Sequence, residues 1–220
     1  MQYLPVVLDL NRRPCVVIGG GRVAEQKCDT LLAVGADVAI VSPALTPPLA
    51  TLVASGRVKH FQRGYRPGDL AGYVLAVVAT DKPAVQEAVA REARERGVLV
   101  NVVDRPELCT FLMPAILVRD DILVAVSTSG SCPGFAAALR DRMRSWLGPE
   151  YAIALEIARV LRERWKSKRL TMDERRRRAE LLMDENFLAA IRCGDWLAVH
   201  SHVAMIEGEE VPLPVGDHCP

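Results

Sequence analysis

The first hundred residues alternate between short, continuous apolar runs and stretches whose apolar positions recur at helical spacing. Cys15 to Ile18, Asp37 to Val41, Tyr73 to Ala79 and Val98 to Val103 are runs of the kind buried in a parallel sheet. Arg57 to Phe61 adds a shorter one. Between them, Val23, Cys28, Leu31, Leu32 and Val34 mark one face of a helix that Gly35 stops. A short helix is predicted from about Leu45 to Ala54. Another begins at Pro83 with Val85, Ala88, Val89 and Ala93 on its inner side and ends at Gly97. A Gly/Pro-rich turn, Arg63 to Asp69, joins the strand at Arg57 to the one at Tyr73. Alternation of this kind predicts a doubly wound α/β sheet with right-handed crossovers.

Beyond residue 113 the pattern changes. Ala115 to Val118 and Ile122 to Val126 flank the charged turn Arg119-Asp120-Asp121, which predicts an antiparallel hairpin. The polar loop Ser127 to Pro133 leads into a helix, Gly134 to Leu147. Phe135, Ala138, Leu139, Met143 and Trp146 or Leu147 form its apolar side. From Pro149 the text is helical, with interruptions near Lys168 to Thr171 and Cys193 to Asp195. A loose Pro/Gly-containing tail is expected from Glu207. The expected organisation is 1–112 nucleotide-binding, 113–147 hairpin and helix, 148–206 helical, and 207–220 tail.

The junction of the first strand and helix carries the strongest chemical signal. Pro14 to Ala24 reads Pro-Cys-Val-Val-Ile-Gly-Gly-Gly-Arg-Val-Ala. Gly19, Gly21 and Ala24 occupy the three small-residue positions of the G-x-G-x-x-G/A fingerprint. These serve a tight turn, close backbone approach to a pyrophosphate, and close packing of helix on strand. The helix start then presents free N–H groups and a partial positive charge to an anion. A dinucleotide site is expected here, and the order strand, glycine turn, helix, strand supports it more than the glycines alone.

Ligands of such sheets lie beyond the carboxyl ends of the strands. Three segments fall there: Ser42-Pro43-Ala44, Thr80-Asp81 and Asn101 to Arg105. The acid that would hold an adenosine ribose after the second strand is replaced by Val41-Ser42-Pro43, and Asp37 opens that strand instead of closing it. Ser42 and backbone groups are left for the ribose. No arginine follows closely to receive a 2′-phosphate, so NAD is preferred over NADP. Asp104, ending an apolar strand next to Arg105, is the carboxylate placed where a nicotinamide would reach. A turn cap or an Arg105 partner is the structural alternative for it.

Composition narrows the classes. The net charge of +1 argues against nucleic acid as the main partner. The charge is uneven, with thirteen Lys/Arg against six Asp/Glu from Arg140 to Arg178, a surplus of seven. Solvated helix faces explain such a run, and so does a polyanionic small ligand. The six cysteines (15, 28, 109, 132, 193, 219) have no zinc spacing and suit reduced thiols. His200 and His202 are one residue apart, on different sides of a helix, so no metal site is expected there. No apolar run reaches membrane-spanning length and no basic leader opens the chain, so a soluble, cytoplasmic protein is expected.

Taken together, these landmarks resemble the precorrin-2 dehydrogenases, the N-terminal part of siroheme synthases. The shared text is Leu4-Pro5, Val17 to Ala24 followed by Lys27, Ala79-Thr80-Asp81, Asn101-Val102-Val103-Asp104, Phe111 to Pro114, the Val126 to Pro133 loop, and Arg175 to Arg178 after Met172. The resemblance implies a Rossmann-like fold and NAD-dependent oxidation of precorrin-2 to sirohydrochlorin. Asp104 would be general base or orienting group. Arg22, Val23, Pro43 and Ala44 match positions whose backbone holds the cofactor. Asn101, Arg105, Thr128, Ser129 and Gly130 would contact the tetrapyrrole. Its eight carboxylates would meet the basic segment.

Some family members also insert ferrous iron into sirohydrochlorin, and the sequence leaves that activity open here. Family members are homodimers that interlock through the hairpin and following helix. Relatives commonly place two glycines where this chain reads Ser127-Thr128-Ser129-Gly130. No methyltransferase domain follows residue 220, so a separate enzyme is expected to supply precorrin-2. The competing reading is a nucleotide-sensing regulatory module without catalysis.

Overall fold

The computed structural model describes residues 3–214. Cys219 lies outside the described residues. The chain divides into two compact units, Met1–Met113 with Ser129–Ser131, and Pro114–Thr128 with Cys132–Pro220.

The first unit is built on five parallel strands, β1 (Pro14–Ile18), β2 (Asp37–Val41), β3 (Lys59–Phe61), β4 (Leu75–Val78) and β5 (Leu99–Val102). Their order is β3-β2-β1-β4-β5, with Ile18 opposite both Val41 and Val78. The central strands read as unbroken apolar runs because helices cover both faces of the sheet. On one side α1 (Arg22–Ala33) and α2 (Pro47–Ala54) bury Cys28, Leu31 and Leu49 against Cys15, Val17, Ile40 and Val77. On the other, α3 (Pro83–Arg96) buries Val89, Ala90 and Ala93 against Val16, Ala76, Val78 and Val100. Pro83 starts α3 at a position where its missing N–H costs nothing, and Gly97 stops it in the left-handed region. The predicted inner face of α1 is trimmed: Val23 and Val34 are exposed.

The second unit joins the hairpin β6 (Ala115–Arg119) and β7 (Ile122–Val126) to α4 (Pro133–Trp146), α5 (Glu150–Ser167), α6 (Met172–Leu181), α7 (Glu185–Cys193) and α8 (Trp196–Glu207). One apolar core runs through it, from Leu117 and Leu147 to Ile157, Phe187 and Val203. The hairpin with α4 and the later helices therefore share a core that the sequence reading divided at residue 147. Thr171 and Glu174 close a capping box at the start of α6, satisfying two otherwise orphan donors.

The apolar side of α4 is mostly uncovered on the chain: Phe135, Leu139 and Trp146 are 62%, 40% and 62% exposed, while Leu147 is buried and Met143 packs on the core. One expectation for this unit is corrected. The segment after Glu207 is not loose through residue 213, because Val211 is buried and Leu213 packs on the core. Glu207 is buried and accepts from Trp165 Nε1 at 2.6 Å and Arg178 Nη1 at 2.8 Å, with Lys168 Nζ at 3.4 Å. Glu209 pairs with Arg164 and Lys168. Part of the basic surplus is thus neutralised inside its own unit, whereas the Nε of Arg175 is buried without a hydrogen-bond partner.

Among the described residues no helix is long and apolar enough to cross a membrane, and no group of three or more His, Cys, Asp or Glu has metal-binding geometry.

Candidate active site

Beyond the carboxyl ends of β1, β2, β4 and β5 opens a cavity of about 1120 Å³, lined entirely by the first unit. The glycine turn forms its floor. Gly19 has φ +126, a region closed to residues with a side chain, and a Cβ there would stand 2.2 Å from the Ala79 carbonyl oxygen. The turn therefore presses directly on the end of β4. At Gly21 the opposite holds: a Cβ would meet nothing within 4 Å. Its open Cα face is the approach left to a ligand. Gly21 is also the N-cap of α1 and supplies no side-chain hydrogen bond. The first-turn N–H groups are thus without a side-chain acceptor and suit an anion. Ala24 is fully buried behind the turn and does not line the cavity.

Gly20, which the fingerprint treats as a free position, is as constrained as Gly19. A Cβ would stand 2.0 Å from Ala44 O and 2.6 Å from Ser42 Oγ. The glycine turn and the loop after β2 are therefore in backbone contact, reinforced by Thr46 N donating to Gly20 O. Glu25 on α1 accepts from Thr46 Oγ1 at 2.8 Å.

Arg22, Val23, Ser42, Pro43, Ala44, Thr80 and Asp81 all reach the cavity wall. The Ser42 hydroxyl donates to Ala44 O at 2.7 Å, so its proton is committed to its own loop. Gln86 on α3 donates to Thr80 O at 2.7 Å, fixing the turn after β4.

Asp104 and Arg105 line the far side, just past β5. Asp104 is exposed and adopts φ +60. Aspartate tolerates the left-handed region better than most residues, and the local hydrogen bonds hold the turn there. Arg105 N donates to Val102 O, and Cys109 Sγ accepts from Val102 N and donates toward Val102 O and Arg105 O. Arg105 forms ion pairs with Glu107 and Glu87, so it is not a partner of Asp104. Lys27, half-buried on α1, lies in electrostatic range of Asp104. Burial pushes its ammonium below the usual lysine range while the Asp104 charge works in the other direction.

The structure does not bring every expected residue to this wall. Asn101 is buried, and its amide donates to Phe111 O at 3.1 Å. It fastens the return of the chain beneath β5 instead of facing the cavity. Thr128 belongs to the second unit, where its hydroxyl accepts from Cys132 N. Gly130 belongs to the first, 3.4 Å in prospective Cβ contact from Pro106, and Ser129 beside it has φ +54. Sequence reasoning missed Gly20 and Tyr65. The run of three glycines was a signal for the first, while nothing local to Tyr65 marks it.

This arrangement matches a known family. Residues 6–115 match the family model described as "Putative NAD(P)-binding". The chain belongs to that family. The residues present fit a dinucleotide: a tight turn against β4, an open backbone face and an uncapped helix start.

Among curated relatives, the chain is 43% identical over 176 residues to "Siroheme synthase" of Methylobacillus flagellatus, covering 80% of this chain and 38% of the relative. It is 37% identical over 203 residues to "Siroheme synthase" of Chromobacterium violaceum, covering 92% and 43%. The chain spans about two fifths of the length of these relatives. The family member also shares its fold with a solved structure, "SirC, precorrin-2 dehydrogenase", with a TM-score of 0.72 and 20% identity. That match covers 94% of this chain and all of the other.

Proposed function

We propose that this protein is an NAD-dependent precorrin-2 dehydrogenase that oxidises precorrin-2 to sirohydrochlorin in siroheme synthesis. The observation that carries the reading is an exposed carboxylate just past β5, Asp104, on the same cavity wall as a glycine turn shaped for a pyrophosphate. Named relatives that make siroheme support the substrate class. A nucleotide-sensing module would have no use for such a carboxylate.

When bound, NAD⁺ supplies the hydride acceptor. The balance is precorrin-2 plus NAD⁺ giving sirohydrochlorin, NADH and a proton. Gly19 to Val23, with Ser42, Pro43, Ala44, Thr80 and Asp81, bind the dinucleotide and direct its reactive end toward β5. Asp104 receives the departing proton on its carboxylate, a general-base role that requires the group to be ionised and within reach of the donor carbon. Arg105, Ser129 and Gly130 stand near enough in sequence and space to border a tetrapyrrole on this side, and Asn101 acts by fixing the strand end.

The protein works as a cytoplasmic homodimer in this reading. Phe135, Leu139 and Trp146 on α4, with Val118 directly opposite Leu123 on the outer face of the hairpin, offer an apolar surface of the kind a second copy covers. Ferrous iron enters as a second substrate if the chain also makes siroheme.

Anaerobic precorrin-2 with NAD⁺ and the purified protein should yield sirohydrochlorin absorbance. Asp104→Asn should lose at least about 100-fold in kcat, the usual scale of a general base, while still binding NAD⁺. Full turnover in that variant removes Asp104 from the chemistry. Ferrous iron added to sirohydrochlorin, against a protein-free control, reads the chelatase step.

A further inference from the structure

The cavity has two ends. Asp104 follows β5, at one edge of the sheet. At the other edge the chain leaves β3 and contributes Gly64 and Tyr65 to the wall. Tyr65 is the one aromatic residue among the described residues lining the cavity. It is half-buried, and its hydroxyl is turned inward, donating to Glu92 Oε2 at 2.5 Å.

Glu92 is an unusual group for the inner side of α3. It is 7% exposed, and its two oxygens accept from four donors: Tyr65 Oη, Gly68 N at 3.0 Å, Leu70 N at 3.2 Å and Arg96 Nε at 2.7 Å. Burial alone would raise its pKa, but these donors hold it below the usual carboxylate range. Burial and the adjacent carboxylate push the Tyr65 phenol upward, so it remains a donor. A second carboxylate, Asp69, takes both guanidinium nitrogens of Arg63 and Arg66 N from the same loop. The Arg63–Leu70 segment is thereby fixed from two sides, and the Tyr65 ring with it.

The opposite end is set by the chemistry. A nicotinamide must face Asp104 beyond β5, and the pyrophosphate sits on the glycine turn at the central strand, so the adenosine half extends over β2 and β3. There the usual ribose-binding carboxylate is absent, and the Ser42 proton is already donated to Ala44 O. Binding strength for that half must come from elsewhere, and a held aromatic face suits an adenine ring.

We propose that Tyr65 is the platform for the adenine ring and that Glu92 is the positioning residue that holds it there. This inference rests on the dinucleotide reading above and names the subsite for its adenine half.

Calorimetric titration with NAD⁺, AMP and NMN tests it. Replacing Tyr65 by Ala should weaken both NAD⁺ and AMP about 10-fold, within the ordinary range for loss of one stacked base, and leave NMN within about twofold. Tyr65→Phe, which keeps the ring, should stay within about threefold of wild type for AMP. Glu92→Gln should weaken AMP by an intermediate factor and again spare NMN, a split that general loosening of the fold would not produce. Should Tyr65→Ala unfold, Tyr65→Leu takes its place, supplying bulk without a π face, with a loss of several-fold expected for AMP.

Wild-type affinity for AMP in Tyr65→Ala or Tyr65→Leu, or equal losses for AMP and NMN, overturns the inference while leaving the dinucleotide site intact. A wild-type protein that binds none of the three nucleotides overturns the dinucleotide reading and this inference together.

Discussion

Gly19 and Gly21 occupy neighbouring places in one motif, yet the structure separates what each does. At Gly19 an added methyl meets two costs. The φ of +126 lies in a region that costs about 1–3 kcal/mol for a residue with a side chain. The Cβ would also stand 2.2 Å from the Ala79 carbonyl oxygen, which is backbone and can yield only by moving β4. Overpacking of that kind costs about 1–3 kcal/mol more. Gly19→Ala should therefore lose about 2–6 kcal/mol, a large part of the ~5–15 kcal/mol that holds an ordinary domain together.

At Gly21 the backbone is extended, with φ −87 and ψ −173, and no heavy atom lies within 4 Å of the added methyl. Losing glycine at an N-cap costs less than about 1 kcal/mol, and restricting the unfolded chain returns about 0.4–1 kcal/mol. Stability should stay within about 1 kcal/mol of wild type. If the pyrophosphate approaches over this open face as proposed, the methyl stands in its way, so an overpacking cost of about 1–3 kcal/mol falls on binding, weakening NAD⁺ about 5- to 150-fold. Urea denaturation followed by circular dichroism reads the first quantity and calorimetric titration the second. A Gly21→Ala protein that unfolds as readily as Gly19→Ala, or that binds NAD⁺ like wild type, would refute this division of labour.

Three further predictions concern the second unit. Glu207→Ala should destabilise it by about 2–4 kcal/mol, because Trp165 Nε1 and Arg178 are left without their acceptor; urea melts of the intact chain read the loss. Burial pushes the Glu207 carboxyl up, but Trp165, Arg178 and Lys168 outweigh it and hold the folded pKa below the usual 4.5. The unfolded chain then binds the proton more readily, so this stabilisation is complete above about pH 4.5 and drains away as pH falls through the lower folded value. Melts across that window should show a slope that Glu207→Gln lacks. If a second copy covers this face as proposed, Phe135→Glu with Trp146→Glu should yield a monomer by sedimentation, since aromatic anchors buried in an interface commonly carry about 2 kcal/mol or more each. An unchanged sedimentation coefficient would remove this face from the interface.

How far the sequence reads can be judged at particular residues. The parallel strands were legible because a strand buried on both faces must be apolar at every position, and Cys15 to Ile18 and Leu75 to Val78 are. Gly19, Gly21 and Asp104 were legible because a strand end feeding a helix, or closing an apolar run, fixes where a side chain emerges. Tyr65 was not, because its position comes from Glu92, 27 residues away on another helix. Asn101 read as a site residue because it neighbours Asp104, but alternation along β5 turns it toward Phe111 O. The apolar side of α4 was legible as an apolar face, but periodicity does not show what covers such a face.

Local order thus determined the sheet class, the glycine turn and the carboxylate beyond the last strand, since each follows from backbone geometry over a few consecutive residues. Tertiary structure alone decided that Gly20 is locked against Ala44, that Glu92 holds Tyr65 in the cavity wall, and that Phe135 and Trp146 stay exposed on the chain. Those facts depend on contacts between segments far apart in sequence, whose partners are fixed only once the elements have packed.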